Sequence, residues 1–202
     1  MQKESDRSLS VSIVCYGNPL PELCELLASL AVANPSSDHA RTLVYLIDNS
    51  EDGSLSLEGL SQALPGLVAE EIELQLIQGH GNVGFGAGHN IVLPSLDSKF
   101  HLILNPDVIV DKDCLSQGLA FMEENRDVPA CSPFARNSDS SKQFLCKEYP
   151  SVLTFLIRGF LPQSLRNLFA NRLAKYEMHH LSETEPTKDI PIISGCFMLC
   201  RT

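Results

Sequence analysis

Three polar clusters stand where apolar runs of this 202-residue sequence end. The first is Asn105-Pro106-Asp107, which follows Phe100–Leu104. One carboxylate beside an amide and open solvent suits Mg2+ or Mn2+ shared with a diphosphate, because such ions often take only one or two protein carboxylates. Pro106 restricts Asn105 to extended geometry and sharpens the exit. The second cluster is Asp48-Asn49-Ser50, after Thr42–Ile47. A carboxylate there can accept from a nucleobase ring N–H or from ribose. On spacing alone, both clusters read first as turn caps, since Asp, Asn and Ser are ordinary turn formers.

The third cluster is a glycine-rich loop, Gly79–Gly88, whose backbone can approach a ligand closely. It contains GxGxxG as Gly79, Gly81 and Gly84, and Asp107 falls near the distance expected of a ribose-binding acid. In the dinucleotide fold that loop follows the first strand; here two strands come earlier, which counts against a nicotinamide or flavin dinucleotide. The six histidines form no HExxH pattern and have no cysteines at zinc spacing. His89 reads as a hydrogen-bonded structural residue. There is no GxSxG, so a serine hydrolase is unsupported.

Such clusters need elements that bring strand ends together. Leu9–Tyr16 is a buried first strand, closed by Gly17-Asn18-Pro19. Asn18 is expected to cap a helix with Pro19 at its first position, and Leu23, Leu26, Leu27 and Leu30 share one helical face. Thr42–Ile47, Ile72–Ile77 and Phe100–Leu104 are further strands, with helices expected at 55–67 and about 87–96 between them. A helix starts at Asp111 or Asp113, and residues 151–176 read as two amphipathic helices broken at Pro162. Ile190–Cys200 is a final apolar strand around Ser194-Gly195. The β-α-β-α-β-α-β order predicts an α/β fold, a mostly parallel central sheet with helices on both faces. Ligands of such sheets bind outside the carboxyl ends of the strands, where the three clusters lie. The expected organisation is a single domain over 1–202, with residues 1–8 a flexible N-terminus.

The formal net charge of -10 argues against a nucleic-acid partner. Seven cysteines without a CxxC pair indicate a reducing compartment rather than a disulfide framework or a zinc site. MQKESDRSLS has no apolar h-region, and no run reaches the length of a spanning helix, so a cytoplasmic location is expected. Residues 147–180 carry Lys147, Arg158, Arg166, Arg172 and Lys175 against Glu148 and Glu177, interleaved with Phe155, Phe160 and Phe169. That segment suits either peripheral contact with an anionic membrane surface or an ordinary helical pair covering the sheet.

In their order and spacing, the motifs resemble glycosyltransferase family 2, in its rhamnosyltransferase-like branch. VSIVCYGNP is similar to the family's first strand and turn, LIDNS to its second-strand motif, and GNVGFGAGHN to its Asn-x-Gly-Phe-Gly-x-Gly-x-Asn loop. LNPDV resembles that branch's form of the metal-binding Asp-x-Asp. YPSVLTFLIRGFLP resembles the helical segment before the acceptor site, and DIPIISGCFMLCR the strand and Ser-Gly turn after it.

The resemblance implies a GT-A nucleotide-binding sandwich and inverting transfer from a nucleoside-diphosphate sugar, with dTDP-rhamnose the donor the branch points to. The implied acceptor is a saccharide or lipid-linked saccharide in cell-surface polysaccharide assembly, at the inner membrane face. It implies nucleotide contacts at Cys15, Tyr16, Asp48, Asn49, Asn82, Gly84 and Asn105, a divalent metal (Mg or Mn) at Asp107, and an acceptor side at Ser194 and Gly195. Cys15 and Gly17 depart from the family's usual Thr and Asn, and Asn105 stands where the first aspartate of the usual motif sits. The chain ends at Arg201-Thr202, before the Asp/Glu-containing segment that carries the family's base, so the expectation is a C-terminally incomplete domain with no assigned catalytic base. A nucleotide-sugar-binding or partner-binding module without turnover is the alternative expectation.

Overall fold

The structure, a computed structural model, describes residues 7–34, 42–51, 53, 55–65 and 72–202. The chain divides into two compact units, Met1–Cys131 with Gly195–Thr202, and Ser132–Ser194. Strands β1 (Arg7–Cys15), β2 (Thr42–Asp48), β3 (Ile72–Ile77), β4 (Ser98–Leu104) and β5 (Ala130–Cys131) lie in the first unit. The short strands β6 (Ala135–Arg136), β7 (Lys142–Gln143), β8 (Cys146–Lys147) and β9 (Ile192–Ile193) lie in the second, and β10 (Phe197–Arg201) is again in the first.

The main sheet runs β3-β2-β1-β4-β10-β5. β1 is parallel to β2 and β4, and β2 to β3, while β10 is antiparallel to both β4 and β5. Central parallel strands are covered on both faces, which requires continuous apolar runs instead of alternation. β2 is buried along its whole length and β1 from Leu9 to Cys15. On one face Val14, Leu43, Tyr45 and Ile47 pack with Val92, Ile77 and Leu96. The strand order reverses between β1 and β4, and Ile13 pairs with Leu104 while Cys15 pairs with Asp48. The carboxyl ends of β1, β2 and β4 therefore share one sheet edge at the switch point, where open α/β sheets hold ligands.

Helix α1 (Leu20–Ala33) buries Leu23, Leu26, Leu27 and Leu30, the expected stripe. Its start differs from expectation, since Pro19 is the N-cap and Asn18 makes no capping bond. Asn18 instead turns back, accepting from Tyr16 N and donating to Glu22 Oε2. Helix α2 (Leu57–Ala63) is capped by Ser56, which accepts from Gly59 N. Its expected end at Gly66 and Leu67, and residues 1–6 of the expected N-terminal tail, lie outside the described residues. Helix α3 (Phe85–Asn90) gives way to a 3-10 turn at Leu93–Ser95, because Pro94 has no N–H to continue an α-helix. Helix α4 (Cys114–Glu124) follows Asp113, whose side chain does not cap it.

In the second unit β6 pairs with β7 and β8 with β9, both antiparallel. Helix α5 (Val152–Phe160) is capped by Ser151, which accepts from Thr154 N. Pro162 caps a short α6 (Gln163–Arg166), and a 3-10 turn leads to α7 (Ala170–Tyr176). The single final strand expected over 190–200 is two strands, β9 and β10, separated at Ser194-Gly195-Cys196. Among the described residues no helix is long and apolar enough to cross a membrane.

Candidate functional site

Asp48 is the last residue of β2 and is buried beside Cys15, the last residue of β1. Its Oδ1 accepts from Ser50 N at 2.9 Å and its Oδ2 from Gln78 Nε2 at 2.8 Å. Burial alone raises a carboxyl pKa; the bonds from Gln78 and Ser50, with His80 nearby, outweigh it and hold Asp48 below the usual carboxylate range. The site therefore presents a fixed anion, already oriented by donors from two neighbouring loops. The same charge acts on Cys15, whose thiol is pushed up to about 12 by burial and then by Asp48. Cys15 is a neutral packing residue, and Tyr16 beyond it is exposed.

Asn49 ties three elements together. Its N–H donates to Cys15 O at 2.9 Å, its Nδ2 donates to Gly84 O at 3.3 Å, and its Oδ1 lies 2.9 Å from His80 Nε2. His80 Nε2 is thus the donor to Asn49, and its Nδ1 is buried with no hydrogen-bond partner among the described residues. In the glycine loop Asn82 Oδ1 accepts from Gly84 N at 3.0 Å. Gly84 sits at φ 82°, a left-handed conformation that favours glycine, and starts α3. A Cβ on Gly88 would lie 2.8 Å from Val14 Cγ2, so only a glycine lets α3 lie this close to β1.

At the end of β4, Asn105 N donates to Cys196 O at 3.0 Å. Asp107 is exposed in the following turn, and its carboxylate makes no hydrogen bond or ion pair among the described residues. Burial and then the charge of Asp107 raise the Cys196 thiol. Gly195 also belongs to this unit, and a Cβ there would meet Phe85 Cε1 at 2.7 Å. Ser194 belongs to the second unit, where its N–H donates to Leu145 O at 2.8 Å.

The divalent ion expected at Asp107 fits this donor set in one way. Among the described residues no three His, Cys, Asp or Glu side chains converge to hold a metal. A lone, unpaired, exposed carboxylate matches an ion whose remaining positions are filled by phosphate and water.

Beneath α3 runs a buried polar chain. Ser98 Oγ lies 2.6 Å from Ser10 Oγ, which is 2.8 Å from His101 Nδ1. His101 Nε2 is 2.8 Å from Ser12 Oγ, which is 2.7 Å from His89 Nδ1. His89 is therefore the hydrogen-bonded structural residue expected. Burial pushes both imidazoles down to about 4, with His89 adding to the effect on His101, so both are neutral at pH 7.

Asp48, Asn49, Gly84, Asn105, Asp107 and Gly195 thus lie in the first unit with Cys15, Tyr16 and Asn82. Ser50 and His80 fall within the polar clusters of the sequence, whereas Gln78 lies just outside them. Gln78 and His80 follow β3, and the rule that ligands gather at the carboxyl ends of parallel strands reaches them too.

A model of the family described as glycosyl transferase family 2 matches residues 10–201. A crystal structure of S. aureus TarS 1-349 is similar at TM-score 0.53 and 21% identity, covering 77% of this chain and 45% of that one. Its complex with UDP-GlcNAc gives TM-score 0.53 and 21% identity, covering 77% and 44%. The mannosyltransferase PcManGT from Pyrobaculum calidifontis, in complex with GDP-Man and Mn2+, gives TM-score 0.50 and 17% identity, covering 68% and 38%. No curated protein matches. These likenesses carry the fold, the GT-A type, and the chain spans less than half the length of each of these structures.

Proposed function

This chain belongs to glycosyl transferase family 2, and from that premise we propose that it binds a nucleoside-diphosphate sugar and serves its transfer, with inversion, to a saccharide or lipid-linked acceptor. The observation that carries the reading is the pairing of two unlike carboxylates at one sheet edge. Asp48 is buried, hydrogen-bonded and held ionised, whereas Asp107 is exposed and unpaired. The first suits a directional contact with a base or ribose, the second a shared cation.

In this reading Asp48 accepts from the nucleobase, and Cys15, Tyr16 and Asn49 line that end of the site. Asn82 and Gly84 form the wall facing the nucleotide, and Asn105 and Asp107 stand at the diphosphate. Ser194 and Gly195 belong to the acceptor side. A divalent ion, Mg or Mn, held by Asp107 would neutralise charge on the departing diphosphate. The acceptor hydroxyl attacks the anomeric carbon from the face opposite that leaving group, and its proton goes to a carboxylate that no residue of this chain is assigned to be. The motif resemblance supports a hexosyl donor of the rhamnosyl type, dTDP-linked, in cell-surface polysaccharide synthesis on the cytoplasmic side of the membrane. TarS with UDP-GlcNAc and PcManGT with GDP-Man and Mn2+ show that this fold accepts other donors, so the sugar is chosen by experiment.

Calorimetric titration of dTDP-rhamnose, UDP-GlcNAc and GDP-mannose in the presence of Mn2+ tests the donor. The dTDP-linked sugar is expected to bind tightest. Preference for GDP-mannose would overturn the pyrimidine assignment, and binding of none by the folded protein would overturn the reading itself.

A further inference from the structure

We propose that the outer face of helix α5 in the second unit docks on an anionic lipid bilayer. At helical spacing Val152, Leu153, Leu156 and Phe160 form one apolar stripe. The side that α5 buries is different: Thr154 and Ile157 are its buried residues, roughly a third of a turn away. The apolar stripe is left in solvent, with Val152 78% and Phe160 82% exposed. Helix α1 is the internal contrast, since there the leucine stripe and the buried face coincide. A helix that turns its apolar side outward has a partner other than its own unit.

Charge selects the partner. The protein carries a net charge of -10, yet this segment holds an excess of cations. Arg158 Nη1 donates to the Tyr176 hydroxyl, Arg166 to the carbonyls of Leu161 and Arg158, and Arg172 Nη2 to Ser151 Oγ. All these acceptors are neutral, and among the described residues no carboxylate lies within salt-bridge distance of the three guanidinium groups. Arg158 stands on the side of α5 opposite the stripe, against Tyr176. Arg172 at Ser151 and Arg166 at Leu161, however, are unneutralised cations at the two ends of the helix. With the exposed stripe between them they match a surface with acyl chains below a layer of anionic headgroups. The arginine stems can lie along the apolar surface while their heads reach phosphate.

This deepens the membrane-side placement proposed above, and its test needs no nucleotide, so the two can fail separately. The experiment is co-sedimentation of the full chain with vesicles of phosphatidylcholine containing phosphatidylglycerol, against phosphatidylcholine alone. Binding is expected to anionic vesicles, to weaken in high salt, and to fall about fivefold for each arginine neutralised in Arg166→Gln and Arg172→Gln. Val152→Ser and Phe160→Ser are each expected to cost about tenfold or more, and circular dichroism should be unchanged because both side chains are exposed. No binding to anionic vesicles, or equal binding by wild type and the serine variants, overturns the proposal. A concentration-dependent dimer that Phe160→Ser dissolves, without lipid binding, would overturn it in favour of an interface between copies of the chain.

Discussion

Phe85 lies across Gly195 so closely that a methyl group on Gly195 would stand 2.7 Å from Cε1 and 2.9 Å from Cζ of the ring. Phe85 is the first residue of α3 and its ring also meets His89 edge-on, with centroids 4.5 Å apart. Gly195 and the start of α3, distant in sequence, are thus in contact through one aromatic ring. Because Phe85 is partly exposed, it can swing aside. Gly195→Ala is expected to cost little stability, about 1 kcal/mol or less, while weakening nucleotide binding through the displaced loop. Thermal unfolding and nucleotide titration on one preparation check the split; a large loss of stability with unchanged binding would contradict it.

Gly88 and Val14 form a less forgiving pair. Val14 is buried and β-branched, so it cannot turn away from a Cβ at 2.8 Å. Gly88→Ala is expected to destabilise by about 1–3 kcal/mol. Adding Val14→Ala should recover part of that loss, which urea unfolding of the single and double variants will show.

The donors to Asp48 make a third test. Asp48→Ala leaves Gln78 Nε2 and Ser50 N without this acceptor. A loss of roughly 1–3 kcal/mol in stability is expected, the usual range for hydrogen bonds to a charged group. Gln78→Ala should act in the same direction and more weakly, because Ser50 N still holds the carboxylate. Equal stability of all three proteins in urea would contradict the geometry.

The buried histidines set a pH dependence. Burial lowers His89 and His101 from 6.5 to about 4 in the folded chain. Above pH 6.5 both are neutral folded or unfolded, and their contribution is fully present. As pH falls from there toward 4, the unfolded chain takes up protons that the folded chain refuses, so stability drops. A loss of a few kcal/mol is expected between about pH 7.5 and 5, measured by urea unfolding. Asp48 adds to the decline only below its unfolded value of 3.8. Equal stability at the two pH values would mean that the histidines are not held neutral.

Much of the scaffold was legible because parallel strands buried on both faces leave an unmistakable trace. LSVSIVCY, TLVYLI and FHLIL are predominantly apolar runs, and each forms a central strand. The polar residues at their ends, Asp48 and Asn105, fell on one sheet edge because the strands are parallel and in register. Local sequence was a poorer guide where tertiary bonds decide. Asn18 looked like a helix cap but bonds Tyr16 and Glu22 instead. Ser10 and Ser12 are buried polar side chains within a central strand, satisfied by His101 and His89 from two other elements. Gln78 reaches Asp48 across the gap between neighbouring strands, a contact that no sequence spacing encodes. The outward apolar face of α5 was equally hidden, since periodicity gives the stripe and not the direction in which it points.

The central claim is that Asp107 joins a divalent ion to a nucleoside diphosphate at this sheet edge. Calorimetric titration of UDP and dTDP, with and without Mn2+, on wild type and Asp107→Ala tests it most directly. Mn2+ is expected to tighten nucleotide binding to the wild type by at least about tenfold, a gain of ~1.4 kcal/mol, and to leave the variant unaffected. Binding that ignores Mn2+, or an Mn2+ effect that survives in Asp107→Ala, would contradict the account.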